Sequence, residues 1–132
     1  MITISTKGKY GLAAMTVLAE HFNQGPIQIK TIADRHQIPQ NYLEQLLVQL
    51  KRAGLVKSFR GSSGGYALAR APEQIQAAEV LNCLEGPCRL CDNHEDVLAG
   101  FWQEAEAKVS AVFDVSLMDV LQKSTPLVSY SI

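Results

Sequence analysis

Residues 39–69, PQNYLEQLLVQLKRAGLVKSFRGSSGGYALA, constrain the fold more than any other stretch. Leu43, Leu46, Leu47 and Leu50 fall at the spacing of one apolar helical face. Gly54 follows, where a left-handed residue closes a helix at little steric cost. Two short strands are expected next, Val56 to Phe59 and Tyr66 to Ala69, flanking Arg60 and the glycine- and serine-rich tip Gly61 to Gly65. A helix followed by a hairpin with an arginine near its tip is the arrangement of a winged helix-turn-helix on DNA. The helix enters the major groove and the hairpin reaches the flanking backbone or minor groove.

The preceding segment supplies the rest of that motif. Ser5 or Thr6 is placed to cap a first helix running to about His21, with Leu12, Met15, Val17, Leu18 and Phe22 on its apolar side. Asn23 to Pro26 reads as a turn. Ile29 to His36 reads as a short second helix with Ile32, Ala33 and Ile38 facing inward, and Ile38-Pro39 as the turn into the third helix. A short helix, a tight turn and a longer helix give helix-turn-helix spacing.

Beyond Arg70-Ala71-Pro72 the pattern changes. A fourth helix is expected from about Glu73 to Leu84, with Cys83 on it among Val80, Leu81 and Leu84 as a small core residue. Glu85-Gly86-Pro87 stops it, and residues 88–94, CRLCDNH, read as an exposed loop. A long helix follows from about Glu95 to Phe113, carrying an apolar stripe that includes Val97, Leu98, Phe101, Trp102, Val109 and Val112. That stripe belongs either to this chain's own core or to an antiparallel helix of a second copy. Ser116 is placed to cap a last helix, Leu117 to Gln122. The fold class is thus mainly α with a small β-hairpin wing: a winged helix-turn-helix over residues 1–72 and a dimerising, sensing region over 73–132.

Charge sides with a polyanionic partner. Residues 1–70 carry nine Lys/Arg against three acids, a net +6, while residues 71–132 carry three against ten, a net −7. A basic half suits DNA, although two solvated faces of opposite sign would give the same count. No apolar run approaches the ~18 residues of a membrane span, and MITISTKGKYG lacks the apolar centre of a secretory signal. With three cysteines, an odd set, a disulfide framework is not expected, and the protein reads as cytoplasmic. No nucleophile–base pair, phosphate loop or paired carboxylates stand out, so an enzyme is not expected. The rival from another class is a winged helix used only to bind protein.

STKGKYGL at 5–12, Gly25-Pro26, NYLEQLL at 41–47, AGLVKSFRG at 53–61, GGY at 64–66 and EVLNCLEGP at 79–87 together resemble one bacterial regulator family. It is the winged helix-turn-helix family of the iron–sulfur cluster regulator and the cysteine-metabolism repressor. The resemblance covers nearly the whole chain and is nearer to the repressor. It implies a homodimer on double-stranded DNA with a long crossed dimerisation helix. It places Asn41, Tyr42, Glu44 and Gln45 at the start of the recognition helix, where Glu44 suits a cytosine amino group and Gln45 an adenine. It puts Arg60 in the minor groove, and Ser62, Ser63 and the backbone of Gly64 on phosphates, with Lys7, Thr31 and Lys51 as further phosphate candidates.

Cluster-binding members of that family carry three cysteines before the long helix, more widely separated than the C-x4-C-x2-C of Cys83, Cys88 and Cys91. Cys88 and Cys91 are spaced to grip one metal, with His94 or Cys83 as a further ligand. An iron–sulfur cluster, a thiol switch or disulfide, zinc and ordinary loop cysteines all remain open on this pattern. His21 and His36 read as ordinary helix residues. Finally, cysteine synthase accepts the C-terminal isoleucine of partner proteins in its active site. The ending Ser-Tyr-Ser-Ile132 has that form, or is a frayed tail.

Overall fold

A computed structural model describes residues 3–91 and 95–124. Three helices come first: α1 Thr6–Glu20, α2 Ile29–His36 and α3 Gln40–Arg52. The antiparallel hairpin β1 Val56–Phe59 and β2 Gly65–Leu68 follows, in the register Val56 opposite Leu68 and Phe59 opposite Gly65. A single 3₁₀ turn at Pro72–Gln74 leads to α4 Ala77–Glu85, α5 Ala99–Ala111 and α6 Leu117–Lys123. Among the described residues no helix is long and apolar enough to cross a membrane.

The leucines of α3 make its inner face, as their spacing predicts: Leu43, Leu46, Leu47 and Leu50 are all buried. They meet Met15, Val17 and Leu18 of α1, Ile32 of α2 and Leu55 and Val56 at the base of the hairpin in one cluster. That cluster does not stop at residue 72. Ile75, Val80, Leu84 and Leu117 belong to it, and Ile75, Val80 and Leu117 are fully buried. The boundary expected at 72/73 therefore crosses a single continuous core.

The Ile38-Pro39 turn leads into α3 with Pro39 as the N-cap residue. Three local expectations are corrected. The fourth helix begins at Ala77, not Glu73, because Gln76 is extended and bridges Ser116, while the Glu79 carboxylate accepts the Gln76 N–H. The long helix covers Ala99–Ala111, not 95–113. Asp96 accepts the Leu98 N–H with its side chain and the Ala99 N–H with its carbonyl, a turn that competes with helix. Ser5 precedes α1 but gives it no side-chain cap; Glu85 does so instead. The Ser116 cap does form, with Asp119 reciprocating.

The two placements left open for the apolar stripe are separated by burial. No residue of α5 is buried within the chain. Phe101 is 60% exposed, Val112 68% and Val97, just ahead of the helix, 99%. The stripe does not fill this chain's core.

Candidate nucleic-acid interface

The turn between α2 and α3 is set by Gln37, a non-glycine residue at φ 55°, and closed by the Ile38 N–H on the Ala33 carbonyl at 2.9 Å. With the leucines turned inward, α3 presents Asn41, Glu44, Gln45 and Lys51 to solvent on its other side. Those are the offsets of one helical stripe, so Glu44 and Gln45 are offered together to whatever lies along α3. Tyr42 is half-buried, its ring edge-on to Tyr10 at 5.8 Å. Thr31 is exposed on α2. Lys7 is half-exposed in the first turn of α1.

The wing is held at a fixed offset from α3 by three ties. Lys51 Nζ donates to Ser58 Oγ at 2.6 Å, bracing the last turn of α3 to β1. Ile27 and Tyr66 exchange both backbone hydrogen bonds at 2.8 Å, adding a short third strand to the hairpin. Gln28 Nε2 donates to the Ser62 carbonyl at 3.2 Å, steadying the tip. Gly65, at φ 148°, makes the middle tie possible: a Cβ there would lie 2.2 Å from the Ile27 carbonyl oxygen. Ser62 and Ser63 are exposed on the tip. Gly64 is buried, and its N–H donates to the Gly61 carbonyl, so it shapes the tip rather than offering a donor to phosphate. Arg60 is exposed and has no hydrogen bond or ion pair with any described residue. An unpartnered guanidinium beside a braced tip is free to take a phosphate or a groove edge.

Gln28, Ile27 and Gln37 were not among the residues singled out by sequence. None belongs to a composition class that signals a brace or a left-handed turn, and the Gln28 bond spans 34 positions.

The three cysteines are not gathered into one metal-holding group. Cys83 is half-buried in α4, with its thiol directed at the Gln49 carbonyl at 3.6 Å, so it packs against α3. Burial pushes its pKa up, against the pull of the Lys7 charge. Cys88 lines a separate cavity between α4 and α5. No group of three or more His, Cys, Asp or Glu among the described residues is arranged to hold a metal ion. His94 and Ile132 lie outside the described residues. Within one chain the described residues do not fit an iron–sulfur cluster.

The chain was compared with known families and proteins. The family of the Rrf2 iron-dependent transcriptional regulators matches residues 4–123. The HTH-type transcriptional regulator CymR of Bacillus subtilis is 38% identical over 125 residues, covering 92% of this chain and 91% of that protein. The solved structure of CymR (YrzC), the global cysteine regulator of B. subtilis, superposes with a TM-score of 0.85 over 95% of this chain and 100% of that one. The structure of T. potens IscR gives 0.78 at 38% identity, over 98% of this chain and 96% of that one.

Proposed function

The chain belongs to the Rrf2 family of transcriptional regulators, and from that premise we propose a homodimeric, sequence-specific DNA-binding repressor that answers to sulfur or redox status. As a regulator, it is not an enzyme. Residues 1–72 read DNA in this proposal, and residues 73–132 dimerise and sense. Arg60 carries the DNA part of the proposal, standing unpartnered on a wing braced to α3 by Lys51 and Ser58. Glu44 and Gln45 supply base contacts along α3, and Lys7, Thr31, Ser62 and Ser63 supply contacts to phosphate.

The exposed face of α5 supports the dimer. Phe101 and Trp102 stack edge-on at 5.0 Å, and apolar surface of this kind is unfavourable in water unless a second copy covers it. Two recognition helices then address half-sites about 34 Å apart. Phe101→Glu is expected to turn the dimer into monomers in sedimentation equilibrium and to abolish tight operator binding. A dimer that survives that charge would place the subunit contact elsewhere.

Anisotropy titration of labelled genomic fragments tests DNA binding itself. Affinity is expected to fall steeply with salt as lysine and arginine release counterions. Binding to no fragment would favour the protein-interaction module.

For the sensing step, the relative named as a global cysteine regulator supports a sulfur signal. We assign no step to an iron–sulfur cluster. A C-terminal contact of Ile132 with cysteine synthase is the proposed route for a partner enzyme. Deleting Ile132 should abolish co-sedimentation with the synthase, and unchanged binding sinks that route.

A further inference from the structure

A cavity of about 310 Å³ opens where the start of α1, the last turns of α4 and the end of α5 meet. Its walls are apolar at Ile4, Leu81 and Phe113. Its two charged groups are of opposite sign. Glu85 lies in the last turn of α4 and Arg89 in the loop that follows.

Neither charge is fully used by the protein. Arg89 makes no hydrogen bond or ion pair with any described residue. Glu85 uses only Oε1, which accepts the Ser5 N–H at 3.0 Å, the Ser5 hydroxyl and the Gly8 N–H at 2.9 Å. Its second oxygen makes no hydrogen bond with a described residue. The same corner holds the negative end of the α4 dipole, and no basic residue in its last turn offsets that end. Among the described residues, Lys7 is the cation whose charge bears on the Glu85 carboxylate. The lining thus combines a cation, an anion and apolar side chains. That combination selects a ligand carrying an ammonium, a carboxylate and a small apolar or sulfur-bearing body.

We infer that this cavity is an effector site for a free α-amino acid, with Arg89 taking the carboxylate and Glu85 and the α4 terminus taking the ammonium. Glu85 also caps α1, the helix that carries Lys7, so occupancy on its free oxygen bears on the position of the DNA-reading half. The binding site stands independently of the proposed DNA function; its coupling rests on that function. Cys88 lines the same cavity and serves as a built-in reporter.

The test uses the full-length protein and the free amino acids singly, each paired with its decarboxylated amine. Calorimetry should find at least one amino acid bound, with its amine silent, and the same amino acid should slow alkylation of Cys88. Arg89→Ala should weaken binding about tenfold or more, while Arg89→Lys restores part of it. No heat from any amino acid at millimolar concentration overturns the site. So does an amine that binds as well as its parent, or an Arg89→Ala protein that binds like wild type. The bound amino acid should also change affinity for a DNA fragment the protein is known to bind; binding without that change overturns the coupling. Failure to bind any DNA would count against the proposed function and leave the calorimetric answer standing.

Discussion

Arg60 and Glu85 do opposite things with charge. Arg60 has no partner among the described residues, and Glu85 binds three groups at the start of α1, about eighty positions earlier. Arg60→Ala should weaken binding to a cognate site by ~1–3 kcal/mol in an anisotropy titration, with the fold unchanged by circular dichroism. Equal affinities would remove Arg60 from the interface. The Ser5 hydroxyl outweighs burial and, with the N–H groups of Gly8 and Ser5 and the nearby Lys7, holds the Glu85 carboxyl below its ordinary value. A depressed carboxylate stabilises the fold above its unfolded pKa, and that stability is lost as pH falls through the folded one. The melting temperature should therefore drop faster below about pH 4.5 in the wild type than in Glu85→Gln, and parallel curves would refute the cap. At this scale the position of Arg60 beside a glycine-rich tip was legible in the sequence, and the structure leaves it exposed there. The sequence was silent on Glu85, whose role depends on where α4 packs, and on Gln37, whose left-handed backbone no composition signals.

At the scale of elements, the wing owes its position to a close approach that only glycine allows. Gly65→Ala drives a Cβ against the Ile27 carbonyl at a backbone angle unfavourable for side chains, at a cost of ~1–3 kcal/mol. Exchange protection of the Ile27 and Tyr66 amides should be lost, and DNA affinity should fall while the helical signal persists. Retained protection would show that the third strand accommodates the methyl group. The bounds of α2 and β1 were readable from local pattern because apolar spacing, glycine and proline set them nearby. The starts of α4 and α5 were not. Gln76 is drawn out by Ser116, forty residues on, and Asp96 turns the chain where periodicity alone would already have begun the helix.

The molecule as a whole has one core, although its two halves carry opposite charge. A chain ending at residue 72 keeps every side chain proposed to face DNA but loses Ile75, Val80, Leu84 and Leu117 from the cluster around Met15 and Leu18. Each such burial contributes ~1.5–3 kcal/mol, and their sum rivals the stability of a small domain. The truncated chain should melt without a cooperative transition in calorimetry. A sharp transition would make residues 1–72 an autonomous unit. Charge asymmetry was legible at this scale, but the shared core was hidden because alternation and spacing say which residues turn inward and not which inward faces meet.

That shared core also bears on synthesis. Chains leave the ribosome from the N-terminus and settle as their contacts become available. The recognition helix and wing are made early, yet the cluster that fixes them waits for Leu117. A nascent or prematurely terminated chain thus lacks a firm reading head until nearly the whole regulator exists. On the proposed function, unfinished copies are poorly equipped to occupy operators.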